Sequence, residues 1–463
     1  MVSAATRNQA DVLILGGGSA GYSCALRAAQ LGLSVVLIEK GELGGTCLHA
    51  GCIPTKALLH AAEVADAVRD AERFGIGATL TGIDVPKMLQ YKAGVVKKLH
   101  TGLVGLVKAR GIQVIRGAGK VVGPREVEVN GERWAGKHLV LATGSRTRSL
   151  PGVEVDGVRV LTSDHALNLD RVPESVIVLG GGVIGSEFAS VWRSFGAEVT
   201  IVEALPRILA GEDEAIASAV ARAFRLRGIG MSTGTPVSKV ETTDSGVRVH
   251  LETGDPLEAE ILLVAVGRAP VTDGLGYEEN GIAIDRGCVV VDERLRTTVP
   301  GIYAVGDIVA GLQLAHRGFA HGIFIAEEIA GLAPIPVRDE LMPRVTYCEP
   351  EVASVGLSEA AARERHGDNA VRVLSYDLAG NGKSQILQTR GMVKLVQQVD
   401  GPVIGIHVVG ARAGELIGEA QLATAWEAMP ADVAPLLHAH PTQNEALGEA
   451  FLALAGKPLH AHG

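Results

Sequence analysis

One pattern, written twice at a fixed separation, constrains this 463-residue chain more than any other feature. In the first copy the apolar run Asp11-Val12-Leu13-Ile14-Leu15 ends in Gly16-Gly17-Gly18-Ser19-Ala20-Gly21. A helical periodicity then runs from Tyr22 to Gln30, and Val35-Val36-Leu37-Ile38 leads to Glu39. In the second copy Val176-Ile177-Val178-Leu179 ends in Gly180-Gly181-Gly182-Val183-Ile184-Gly185, and Val199-Thr200-Ile201-Val202 leads to Glu203. A shift of 164 positions lays Gly16 on Gly180, Gly18 on Gly182, Gly21 on Gly185 and Glu39 on Glu203. One G-x-G-x-x-G is a weak signal; two, each with strand, helix, strand and terminal acid in register, predict two dinucleotide-binding βαβ units.

In each copy the first glycine permits a tight strand-to-helix turn and the second lets backbone approach a pyrophosphate. The third allows close helix–strand packing, and the helix N-terminus offers free N–H groups to the anion. The terminal acid accepts ribose hydroxyls. The competing reading is a pair of ordinary βα turns that use glycine only for packing. At Glu203 a carboxylate suits a free ribose hydroxyl and repels a phosphate, so NAD(H) is expected over NADP(H). Arg207 reads as a solvated loop arginine.

The stretch Gly44-Gly45-Thr46-Cys47-Leu48-His49-Ala50-Gly51-Cys52-Ile53-Pro54-Thr55-Lys56 holds two of only 5 cysteines, just before a helix start marked by Pro54. Zinc would need two further ligands at similar spacing, and Cys24, Cys288 and Cys348 stand alone, so no metal is expected. The pair reads as a redox-active disulfide, and its place beside the first fingerprint suggests a flavin there.

Composition excludes other classes. Aromatic residues at 3% leave little for base stacking, and a net charge of −9 gives no footprint for nucleic acid. The longest apolar runs, near 176–182 and 261–266, are of strand length and too short for a membrane span. Met1-Val2-Ser3-Ala4-Ala5-Thr6-Arg7 lacks the apolar core of a secretion signal, so a cytoplasmic protein is expected.

Further segments bring small residues to strand ends where backbone passes a cofactor: Leu139-Val140-Leu141-Ala142-Thr143-Gly144-Ser145, and Ile261 through Gly267 after the second repeat. Gly301-Ile302-Tyr303-Ala304-Val305-Gly306-Asp307 is a third such strand. Gln313-Leu314-Ala315-His316 and an apolar helix to about Ala330 follow it. Asp307 either caps that region or, as expected here, contacts a ribityl or phosphate group. Leu150-Pro151-Gly152 and Arg268-Ala269-Pro270 mark the insertion of the second unit into the first. From about Pro343 the pattern changes to that of a separate α+β domain. Near the C-terminus, His440 and Glu445 in His438-Ala439-His440-Pro441-Thr442-Gln443-Asn444-Glu445 can form a His–acid pair that takes a proton from a thiol. His438 reads as structural.

Together these motifs resemble the flavin-dependent pyridine nucleotide–disulfide oxidoreductases, over nearly the whole chain, and within them the branch that oxidises dihydrolipoyl groups. The resemblance implies an α/β fold with residues 1–150 as the first part of an FAD-binding domain and 151–269 as an inserted NAD-binding domain. Residues 270–342 would be the central second part of the FAD domain, and 343–463 an interface domain of a homodimer. It implies FAD contacts from Gly16, Gly18, Gly21, Glu39, Lys56, Thr143, Gly144, Ser145, Asp307 and the 313–316 segment. NAD contacts would come from Gly180, Gly182, Gly185, Glu187, Glu203 and Gly267. Cys47 becomes the interchange thiol, Cys52 the flavin-side thiol, and Lys56 with Glu187 an ion pair. His440 of the partner subunit becomes the base, oriented by Glu445.

Implied partners are a lipoyl-bearing acyltransferase core of a 2-oxo-acid dehydrogenase complex or a glycine-cleavage carrier protein. Alternatives are another disulfide reductase of the family or a mainly docking flavoprotein subunit. His49 departs from the commoner asparagine of the family's motif; it either shifts the thiol pKa or, as expected here, is a passive replacement.

Overall fold

The computed structural model describes residues 8–460. Residues 1–7, read above for a targeting signal, and 461–463 lie outside the described residues. Two compact units emerge, one from residues up to 57, 86–148 and 268–339, the other from 58–85, 149–267 and 340 onward.

In the first unit the apolar runs of the first repeat become the parallel strands Gln9–Leu15 and Val35–Glu39, in register from Val12 opposite Val35. Gln113–Arg116 extends the sheet beyond the second strand, and Glu132–Leu141 and Ile302–Ala304 extend it on the other side, all parallel. The strand expected over 139–145 begins earlier and ends at Leu141. Its N-terminal half pairs antiparallel with Glu126–Val129, and its polar composition hid it. At the other end Gly144 adopts φ 72°, which ends the extended run. Val12, Ile14, Val35, Leu37 and Val140 form one face of the core, and Leu13, Leu15, Val36 and Leu139 the other, as expected for a sheet covered on both sides.

The fingerprint helix Ser19–Gln30 packs on the later helix Ala315–Ile329. The approach is close because Gly318 and Gly322 face it: a Cβ on Gly322 would collide with Ser23 Oγ and the Ala20 carbonyl.

In the second unit the repeat gives a five-stranded parallel sheet. Its order is Ile229–Thr233, Glu198–Glu203, Ser175–Leu179, Ile261–Val264, Val160–Leu161, which puts its first three strands and the returning fourth in the same sequence as the first unit. Residues 340 onward build a five-stranded antiparallel sheet, with Met392–Gln398 and Val403–Val409 at its centre. Val393, Leu395, Ile406 and Val408 pack there against the helices Ala413–Ala425 and Glu445–Leu454. No helix among the described residues is long and apolar enough to cross a membrane.

Gly322→Ala should overpack the contact with the fingerprint helix and cost about 1–3 kcal/mol. A lower urea midpoint with unchanged slope would register it.

Candidate functional site

Both fingerprints are built alike, atom for atom. Gly16 and Gly180 turn with φ 107° and 106°, conformations open only to glycine at little cost. Each following helix starts after an extended glycine, Gly18 or Gly182, with no side chain capping its N-terminus. Glu39 Oε2 accepts the Gly17 N–H at 2.6 Å, and Glu203 Oε2 the Gly181 N–H at 2.7 Å. The other oxygens accept from Gly41 at 2.7 Å and Leu205 at 2.8 Å. The acids are therefore tied to their own loops, and each carboxylate oxygen keeps a second lone pair for a ribose hydroxyl. A Cβ on Gly182 would meet nothing within 4 Å, and one on Gly18 only Gly45 Cα, at 3.9 Å. The uncapped helix ends and the open space over these glycines fit the pyrophosphates of FAD and NAD.

The cysteine stretch crosses the first fingerprint directly. Gly44, at φ 111°, donates its N–H to Gly17 O at 2.9 Å, and a Cβ on Gly45 would come 2.7 Å from Gly18 Cα. Cys47 then lies in the short helix Gly45–Ala50, and Cys52 opens the helix Cys52–Arg69, with Pro54 inside its first turn. Both are thiols in this structure and are hydrogen-bonded to each other. The bond to Cys52, burial and the charge of Cys52 raise the Cys47 pKa, while Lys56 opposes the rise. The helix N-terminus at Cys52 favours a thiolate there. His49 stands two residues from Cys47 on a helix, which turns it to the opposite side. Its Nε2 bonds Leu43 O at 2.8 Å, and its ring meets His100 edge to face at 5.0 Å. It stitches the loop together.

Ser145 donates to Asp307 Oδ2 at 2.5 Å and accepts from Arg268 Nε at 2.8 Å. Asp307 therefore belongs to a side-chain cluster and caps no helix; Leu314 is the uncapped N-cap of Ala315–Ile329. Thr143 Oγ1 is spent on Val271 O at 2.7 Å and Tyr277 OH at 3.0 Å. Gln313 is half-buried and His316 exposed. The neighbouring Arg317 is buried, bonding Asp339 at 2.8 Å and the carbonyls of Ala310 and Leu312. Arg268 and Arg317 were missed in the sequence, since a lone arginine carries no spacing signal.

In the second unit Glu187 is buried on the fingerprint helix Val183–Phe195, where it accepts the Tyr347 N–H at 3.0 Å. Lys56 belongs to the first unit. Gly267 turns with φ 104° in open space. Arg207, expected as a solvated loop arginine, is half-buried: it meets Ala210 O at 3.5 Å, and its Nε is buried with no hydrogen-bond partner among the described residues.

His440 Nδ1 meets Glu445 Oε1 at 2.8 Å, and Glu445 Oε2 accepts the Thr442 N–H at 2.7 Å. A carboxylate can only accept, so Nδ1 carries the proton and Nε2 keeps its lone pair. The His440 side chain is 77% exposed. Burial works to raise the Glu445 pKa, but the Thr442 N–H and the two histidines hold it below the usual range. Among the described residues no group of three or more His, Cys, Asp or Glu could hold a metal ion.

Residues 10–322 match the pyridine nucleotide-disulphide oxidoreductase family, and residues 342–451 match that family's dimerisation domain. The chain is 41% identical to the dihydrolipoyl dehydrogenase of Bacillus subtilis (strain 168), over 97% of its length and 99% of the relative's. It is 39% identical to the protein of that name from Thermus scotoductus, over 97% and 98%. Among solved structures it resembles LpdA from Mycobacterium tuberculosis, with a TM-score of 0.90, 28% identity and coverage of 96% and 99%.

Cys52→Ser removes the largest cause of the raised Cys47 pKa, so alkylation of Cys47 should begin at lower pH than in the reduced native pair. Mass mapping of iodoacetamide-treated protein across pH 6–10 reads the shift directly (about the range in which thiols titrate).

Proposed function

The chain belongs to the pyridine nucleotide–disulphide oxidoreductase family, and on that premise we propose that it oxidises dihydrolipoyl groups and reduces NAD through a Cys47–Cys52 redox pair. The observation that carries this reading is the crossing of the cysteine loop over the first dinucleotide fingerprint, Gly44 on Gly17. It puts thiol chemistry at the mouth of a nucleotide site. The names of the full-length relatives supply the dihydrolipoyl substrate.

FAD and NAD are the cofactors of this family; FAD would supply the two-electron relay between the Cys47–Cys52 pair and NAD. The residues that would hold FAD are Gly16, Gly18, Gly21 and Glu39, with Ser145 and Asp307 at the strand ends. Those for NAD are Gly180, Gly182, Gly185 and Glu203. We assign 1–150 with 270–342 to the flavin domain, 151–269 to the NAD domain and 343–463 to the interface.

Thiol exchange then runs on this chain's own groups. His440 Nε2 takes a proton from a dihydrolipoyl thiol, and Glu445 holds the other ring nitrogen and the resulting positive charge. The thiolate attacks Cys47 Sγ of the oxidised pair and expels Cys52 as a thiolate. The second lipoyl sulfur displaces Cys47 and its proton passes to the leaving Cys47 sulfur, giving the cyclic disulfide, a Cys47 thiol and a Cys52 thiolate. His440 is far more exposed than a base in a closed site would be, which supports its service to the partner subunit. The dihydrolipoyl group would come from an acyltransferase core or a glycine-cleavage carrier, in the cytoplasm.

The test is NADH formation from dihydrolipoamide and NAD, with NADP as control. Cys47→Ser should abolish it. His440→Gln should lower kcat about 10²–10⁴-fold while FAD stays bound; full activity would remove His440 from the mechanism. Glu203→Ala should weaken NAD and narrow the preference over NADP, read as the ratio of the two kcat/KM values.

A further inference from the structure

The loop that carries His440 contains a second histidine–carboxylate pair, and the exchange described above does not use it. His438 Nε2 meets Glu419 Oε1 at 2.8 Å, and the ring also hydrogen-bonds the Leu436 backbone. Its side chain is only 8% exposed. A carboxylate has no proton to give, so His438 Nε2 carries the proton of this bond. Its pKa is accordingly raised, chiefly by the Glu419 bond and against burial.

Glu419, on the helix Ala413–Ala425, does more than accept from His438. Its other oxygen accepts from Asn444 Nδ2 at 2.5 Å. One carboxylate thus grips the loop two residues before His440 and again one residue before Glu445. Glycine at 448 is part of the same device, since a Cβ there would come within 2.5 Å of His438 Nδ1. Asn381 donates to Thr442 O at 3.0 Å, and Ser384 Oγ to Gln443 Oε1 at 3.0 Å. The charged and titratable groups around the loop are Glu419 on Ala413–Ala425, Glu445 and Glu449 on Glu445–Leu454, Tyr376 on Val371–Asp377, and His460 on Glu449.

We propose that His438 is a positioning residue for dithiol oxidation: paired with Glu419 and, through it, with Asn444, it fixes the loop geometry in which Glu445 can hold His440 Nδ1. The inference rests on the reading of His440 as the base. A shift of the ring by about an ångström can cost on the order of 10²-fold in rate. Breaking a buried ion pair by removing one member leaves an uncompensated charge, whereas replacing both members leaves none.

The experiment compares His438→Gln, Glu419→Gln and the double variant as FAD-loaded dimers, with two readouts. The first is kcat and KM for dihydrolipoamide oxidation. The second is NADH-driven ferricyanide reduction, which needs the flavin and NAD sites and no base for a thiol. Each single variant should lose about 10–100-fold in dithiol kcat, with KM within about twofold and ferricyanide reduction unchanged. The double variant, with a glutamine–glutamine hydrogen bond, should recover most of the loss. Unchanged dithiol kcat in the single variants overturns the proposal. So does a parallel loss of both activities, a double variant no better than the singles, or failure of all three to bind FAD. Wild-type protein that reduces ferricyanide but oxidises no dithiol would instead sink the functional reading.

Discussion

The hydrogen bond from Gly44 N–H to Gly17 O is the constraint on which the active region depends. It brings two separate sequence motifs into backbone contact, so close that a Cβ on Gly45 would come 2.7 Å from Gly18 Cα. Glu39 ties down Gly17 and Gly41 together, so the first glycine turn and the loop that leads to Cys47 share one anchor. Thiol chemistry and cofactor binding are thus linked through main-chain geometry, and substitutions that disturb one will disturb the other.

Much of this was legible in the residues. The two fingerprints, their acids and the cysteine spacing each state a local requirement, and local requirements survive in sequence. The equivalence of the copies went deeper than pattern, down to the pair of backbone N–H groups that each acid receives. What sequence could not show are the long-range partners. Arg268 meets Ser145 across 123 positions, Tyr347 meets Glu187 across 160, and Glu419 meets His438 across 19 on another element. The strand Glu132–Leu141 was half hidden because its antiparallel half is polar and alternates weakly. Asp307, expected to face a cofactor, accepts from Ser145 through Oδ2.

The passive reading of His49 also gains a physical basis. A residue two positions along a helix from Cys47 points away from it, and the ring is occupied with Leu43 O and His100. The asparagine commoner at this position in the family can also donate to a carbonyl, so the replacement keeps a donor while adding an aromatic edge.

The two histidine–acid pairs near the C-terminus differ in what they leave free. His438 is largely buried and spends Nε2 on Glu419 inside the fold. His440 spends one on Glu445 and turns the other outward. A base must offer a lone pair to solvent-accessible substrate, and only the second pair does. The division follows from the spacing in the loop. Glu445, at the first position of its helix, reaches back over the Pro441-Thr442 turn to His440, and Asn444 beside it reaches away to Glu419. Adjacent residues at the helix start therefore serve opposite ends of the same loop. Neither pair can be moved by a register shift without misplacing the other.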